Sequence, residues 1–206
     1  MKTIHVNLEF ITPLLGTTSA NPDIQREYIA SKAGDGLKMQ EEIDAYGIAE
    51  MQDKAMTIFP KMDPDGEDFT PFVWDYQIKG YLKEAAKALS RMKNEEMAKH
   101  TAKIKAYIKV IEDNIFIYPR RIPLDLHGME LTERQRPLRG QTAQGERIAL
   151  ANSEEAPEGS TLEFEIVCPD DRVEWVQELL AYGEYKGMGQ WRNAGNGRFM
   201  VRADVE

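Results

Sequence analysis

The stretch Tyr185-Lys186-Gly187-Met188-Gly189-Gln190-Trp191-Arg192-Asn193-Ala194-Gly195-Asn196-Gly197-Arg198-Phe199 restricts the fold of this chain more than any other. Gly187, Gly189, Gly195 and Gly197 let the backbone take positive φ and approach another chain closely, at a cost that no residue with a side chain matches. A flexible linker would be built of glycine and serine. Here the glycines are interleaved with Trp191, Arg192, Asn193, Arg198 and Phe199, residue types that stack on rings and grip phosphate or carboxylate. The stretch is held at both ends. Before it runs a helix over 171–182, capped by Asp170, with Val173, Val176, Leu179 and Leu180 facing inward; after it comes a terminal strand over 198–203.

The rest of the chain supplies the frame. Residues 2–11 alternate, with Ile4, Val6, Leu8 and Phe10 on one face and His5, Asn7 and Glu9 on the other, the period of a half-buried strand. Asn21-Pro22 reads as an N-cap and first-turn proline opening a helix over 22–33, which Gly34-Asp35-Gly36 ends before a second helix over 37–51. Residues 56–60 and 69–73 flank the turn Asp63-Pro64-Asp65-Gly66 and predict a short hairpin. Asp63, Asp65, Glu67 and Asp68 lack the spacing and the later bidentate Glu of a calcium loop, and read as a plain acidic turn.

Asp75 is expected to cap the best helix. Ile78, Tyr81, Leu82, Ala85, Ala86, Leu89 and Met92 fall on one of its faces and Lys79, Lys83 and Lys87 form a row on another. A further helix from about residue 95 turns Ile104, Tyr107, Ile108 and Ile111 inward. Residues 114–123 read as a strand. Residues 124–145, bearing Arg134, Arg136 and Arg139, show no clear period and read as an exposed arm or long loop. Strands over 145–151 and 161–168 flank an acidic turn at 153–159. The order predicts an α+β fold, a ferredoxin-like antiparallel sheet with helices on one face, in one domain over 1–206 with a helical segment over 75–111 and an extended arm over 124–145.

Charge narrows the partners. A net charge of −9 over 206 residues excludes a chain that coats nucleic acid with its whole surface. Positive charge gathers in the middle: residues 79–109 carry nine basic and three acidic side chains, and 110–147 carry six of each. Lysine rows of this kind serve as solvated faces or as binding surfaces. Cys168, the one cysteine, leaves no internal disulfide and no thiolate metal cluster, and no apolar run approaches a membrane span, so a cytoplasmic location without cofactor or metal is expected.

Several segments carry a resemblance. Phe10-Ile11-Thr12-Pro13-Leu14-Leu15-Gly16, Gln77-Ile78-Lys79-Gly80-Tyr81-Leu82-Lys83-Glu84-Ala85, Phe116-Ile117-Tyr118-Pro119 and the closing glycine stretch resemble a family of phage and prophage proteins. That family looks like single-domain relatives of the RAMP superfamily, the ferredoxin-fold RNA-binding subunits of CRISPR effector complexes. The resemblance implies that the terminal glycine-rich loop helps hold RNA. RAMP nucleases use a histidine as general acid or base, whereas His5, His100 and His127 stand beside no second catalytic group; His127 is the one candidate for metal-free RNA cleavage, and the expectation is a protein without catalysis.

Three functions remain open at this level. The first is a module for single-stranded nucleic acid, with Lys79, Lys83, Lys87, Arg120, Arg121, Arg134, Arg136, Arg139 and Lys186 neutralising phosphates. Gly187, Gly189, Gly195 and Gly197 would let a strand approach, and Trp191, Arg192, Asn193 and Arg198 would add stacking and hydrogen bonds. The second is a phage-encoded inhibitor of a host defence or replication complex, acting through the acidic surfaces of 1–78 and 148–206. The third is structural: Phe199 falls to packing, and Trp191 stands open between packing and stacking. Stacking of copies along a strand, with the 124–145 arm reaching a neighbour, is a further expectation.

Overall fold

A computed structural model describes residues 1–19, 56–63, 68–92, 97–142 and 145–206, with side chains described outside 92–103 and 137–150. The helices expected over 22–33 and 37–51, and Asp65 and Glu67 of the acidic turn, lie outside the described residues.

Strand β1 (Lys2–Phe10) follows its alternation: Ile4, Val6, Leu8 and Phe10 are buried. It is antiparallel to β10 (Thr161–Cys168) on one side and to β11 (Phe199–Val205) on the other, with Ile4 opposite both Ile166 and Val205. Beyond β10 come β6 (Phe116–Tyr118) and β7 (Arg121–Asp125), and β5 (Phe72–Trp74) closes the edge against β7. Helices α1 (Asp75–Met92) and α2 (Met97–Asn114) precede β6, and α3 (Val173–Ala181) joins β10 to β11. With β6 and β7 sharing one place in the sheet, the spatial order is fourth, first, third, second. That is the ferredoxin-like α+β sheet.

The helices cover one face. Ile78, Leu82 and Ala85 of α1, Ile111 of α2 and Val176, Leu179 and Leu180 of α3 share a core with the buried side of β1. The Tyr81 hydroxyl donates to the Leu179 carbonyl at 2.7 Å, which satisfies a phenol whose pKa burial pushes up. Phe199 seals the end of this core, edge-on to Phe10 at 6.0 Å and to Tyr81 at 5.1 Å between ring centroids.

Helix α1 starts where expected, though Asp75 shares the capping. The Gln77 side-chain carbonyl accepts the Trp74 amide at 2.9 Å, the return half of a capping box, while the Asp75 carboxylate accepts the Tyr76 amide at 2.8 Å. Asp170 makes no side-chain cap: residues 170–172 form a 3-10 turn that runs into α3, and neither segment has a side-chain bond at its N-terminus.

A second sheet holds the main departure from the expected arm. Strands β8 (Thr132–Thr142) and β9 (Gly145–Ala156) pair antiparallel as the arms of a long hairpin, with Arg134 opposite Ser153 and Arg136 opposite Ala151. Thr132 to Thr142 is polar on both faces, which hides the period of two, and Pro137 is tolerated because β8, among the described residues, pairs only with β9 and lies at an edge. On the other side of β9 lie β2 (Leu14–Leu15) and β4 (Met56–Ile58), with β3 (Thr18–Ser19) beyond β4. The hairpin expected across 56–73 is split between sheets. Lys61 and Pro71 bridge and the Met62 amide donates to the Thr70 carbonyl at 2.9 Å, but β4 joins β9 and β5 joins β7.

Phe199→Ala is expected to lower the free energy of unfolding by about 3–5 kcal/mol, read as a fall in the urea midpoint at unchanged slope.

Candidate nucleic-acid interface

The glycine stretch leaves the short helix α4 (Gly183–Lys186) and is laced to the connection between β1 and β2. The Gly197 amide donates to the Pro13 carbonyl at 2.8 Å, the Arg198 amide to the Thr12 hydroxyl at 2.8 Å, and the Ile11 amide to the Arg198 carbonyl at 2.9 Å. Within the loop the Met188 amide donates to the Gly197 carbonyl at 2.8 Å. This crossing requires glycine: at φ +68°, a Cβ on residue 197 would sit 1.9 Å from the Met188 carbonyl oxygen. Trp191 has a left-handed backbone, φ 57° and ψ 29°, a conformation costing a bulky residue about 1–2 kcal/mol. Its carbonyl accepts from the amide of Ala194 at 2.9 Å and from the side chain of Asn196 at 3.3 Å, so the loop's own bonds hold the strained residue in place.

The hairpin delivers cations to this loop. Arg134 and Arg136, two apart on β8, point to the same face of the strand. Arg134 donates to the Asn196 side-chain carbonyl at 2.8 Å and forms an ion pair with Glu155. Arg136 lays its guanidinium 3.5 Å from the centroid of the Trp191 ring and reaches Gln190 at 3.4 Å. It pairs with no carboxylate among the described residues, and its Nε is buried without a hydrogen-bond partner. Burial pushes the Arg136 pKa down, yet a guanidinium keeps its charge. On the other flank Arg192 forms an ion pair with Glu84 of α1. Lys186 and Arg198 are half-buried at the loop's two ends, and Asn193 is exposed at its tip.

Beside this cluster runs a groove of about 390 Å³, between β2 and β3 on one side, the N-terminal half of α1 on another and the loop at Met188, Gly189 and Arg192. Leu14, Leu15, Phe59, Phe72 and Tyr76 make its walls largely apolar; Thr17, Gln77 and Glu84 supply its polar points.

The remaining expected cations go elsewhere. Lys79 donates to the Glu112 carbonyl at 3.0 Å and lies 5.8 Å over the Phe116 ring, and Lys83 pairs with the Glu112 carboxylate at 2.6 Å. Burial and the neighbouring Lys83 push the Lys79 pKa down, and the Lys83 hydrogen bond holds the Glu112 carboxyl below its ordinary value. These two lysines address the end of α2, whereas Gln77, Gly80 and Glu84 of the same helix line the groove. Lys87 is exposed. Arg120 stacks over Trp74 at 5.1 Å and Arg121 over Phe72 at 5.7 Å, with Arg121 also donating to the Met62 carbonyl at 3.3 Å. Arg139 pairs with Ile148 further along the hairpin, its side chain outside those described. His127, in a turn after β7, contacts Thr161 at 3.0 Å and Asp125 at 3.4 Å. The structure thus joins Arg134 and Arg136 to the glycine loop and leaves Lys79 and Lys83 apart. Sequence reading missed Glu84, Glu155, Gln190 and Asn196, which fix the arginines; single polar residues far apart in the chain carry no signal of their pairing.

No family model matches this sequence, and no curated protein matches it. Solved structures do resemble its fold. A chain of the Type III-B Cmr-beta complex bound to cognate target RNA, determined by cryo-EM, superposes with a TM-score of 0.52 at 13% identity, over 99% of this chain and 60% of that one. This chain therefore spans less than two thirds of that neighbour's length. A chain of a Type IV-B CRISPR complex is similar over 98% of this chain and 90% of its own, with a TM-score of 0.49 and 11% identity. The ferredoxin-like α+β arrangement expected from the order of elements is the fold of this chain.

Gly197→Ala is expected to destabilise the fold by more than about 2 kcal/mol, because it meets both the positive φ and the Met188 carbonyl. Gly195→Ala, with open space around its Cβ, is expected to cost only about 1 kcal/mol; paired urea titrations separate the two.

Proposed function

We propose that this chain is a non-catalytic binder of single-stranded nucleic acid, of phage or prophage origin and acting in a bacterial cytoplasm. The observation that carries the reading is the Arg136 guanidinium stacked on Trp191 at 3.5 Å without a carboxylate partner among the described residues, on a loop that Arg134 and Arg192 flank. A guanidinium held flat against an indole presents its outward N–H groups in a fork that matches phosphate oxygens, and the stack pre-organises it. Arg134 and Arg192 are held by Glu155 and Glu84, which sets their positions and leaves Arg136 as the leading phosphate contact. Unpaired strands fit better than duplex because an apolar groove opens beside the cations. The fold likeness to a chain from an RNA-bound complex supports the reading.

The acidic composition favours a second reading. On the sheet face away from the helices, Glu163, Glu165 and Asp204 line a depression with His5, Asn7, Tyr118 and Arg202, a surface suited to a basic protein partner. A complex from host lysate that survives nuclease treatment supports this reading, and its dissolution supports the first.

Anisotropy of a labelled oligonucleotide of about twelve residues, titrated at about 50 and 200 mM salt, tests the first reading. Arg136→Gln is expected to weaken binding about tenfold and to reduce the salt slope by about 0.7. Lys79→Gln and Lys83→Gln, whose ammonium groups are engaged by Glu112, are expected to change affinity by less than about twofold. Absence of binding at the lower salt would end the proposal.

A further inference from the structure

The groove beside the glycine loop has a use beyond phosphate contact. We propose that it receives one unstacked nucleobase of the bound strand, so that the protein holds a strand by a seated base as well as by its backbone. The inference rests on the binding function proposed above and names the part of the ligand that enters.

Four observations support a base as the occupant. The volume, about 390 Å³, lies within the range of about 300–1,000 Å³ usual for small-molecule pockets and admits a single base. Its lining is largely apolar: Tyr76 offers a partly exposed ring, and Phe59, Phe72, Leu14 and Leu15 are buried behind the surface as its floor. Polar groups belong to the lining as well: Thr17 and Gln77, bonded to each other, and Glu84, paired with Arg192. Lastly, Arg192 lines the groove and sits in the same loop as the Arg136–Trp191 stack, so a strand whose phosphates meet these guanidiniums passes the groove's opening.

Gly80 makes the idea testable. It lies on the groove-lining side of α1, and a Cβ placed on it meets nothing within 4 Å. Replacing a glycine inside a helix favours helix formation, so a larger side chain here enters the groove without straining the fold. Gly80→Ala adds one methyl and leaves most of the space; Gly80→Leu projects a branched side chain into it.

The probes are a fluorescein-labelled uridine oligonucleotide of about twelve residues and its counterpart with ribose phosphates lacking bases. The wild-type protein is expected to bind the base-bearing strand about tenfold more tightly than the base-free one. Gly80→Leu is expected to abolish most of that preference while leaving base-free binding unchanged. Gly80→Ala should retain the preference, and Arg136→Gln should weaken both strands. A Gly80→Leu protein that keeps the full preference overturns the seated base and leaves the phosphate site standing. A wild-type protein that binds neither strand overturns both.

Discussion

The connection between β1 and β2 is the constraint on which the candidate site depends. Residues 11–15 bond in two directions: Ile11 and Pro13 through the backbone and Thr12 through its hydroxyl bond to the glycine loop, and Leu14 and Leu15 pair with Ala156 and Glu155 of β9. The same five residues therefore fix the loop to the first sheet and the long hairpin to the second. Because β8 is in register with β9 along its whole length, placing Glu155 beside Leu15 also places Arg134 and Arg136 over Asn196 and Trp191. Arg134 and Arg136 then join β8 directly to Asn196, Gln190 and Trp191 of the loop.

Electrostatics then sorts the cations by what lies near them. Net charge is a poor guide here, because −9 for the whole chain coexists with three arginines at one loop. Each cation's availability depends on its neighbours. Glu112 at the end of α2 engages Lys79 through its carbonyl and Lys83 through its carboxylate, Glu155 engages Arg134 and Glu84 engages Arg192, while Arg136, among the described residues, has an indole in place of a carboxylate. A ring face orients a guanidinium without neutralising it. That difference separates a cation that holds the fold together from one with charge to offer a ligand.

Much of the frame was legible in the chain. The alternation of Ile4, Val6, Leu8 and Phe10 marked β1, the spacing of Ile78, Tyr81, Leu82 and Ala85 marked α1, and Phe199 was assigned to packing. The hairpin was not legible, because Thr132 to Thr142 lacks an apolar face and β8 is stabilised by its ladder with β9 and by contacts its sequence does not advertise. Asp170 looked like a cap by composition, yet the chain enters α3 through a 3-10 turn that leaves its side chain out of that role.

The glycine loop shows the division most clearly. Sequence alone determined that residues 187–197 turn sharply between a helix and a terminal strand, since glycines at those positions permit backbone angles that other residues resist. It also determined which chemistries were present: an indole, arginines, and lysines at helical spacing. Only the tertiary structure decided which of them meet. Periodicity reports which face a side chain takes on its own element, whereas the meeting of Arg136 with Trp191, and of Lys83 with Glu112, is set by how separate elements pack, through contacts between residues far apart in the chain.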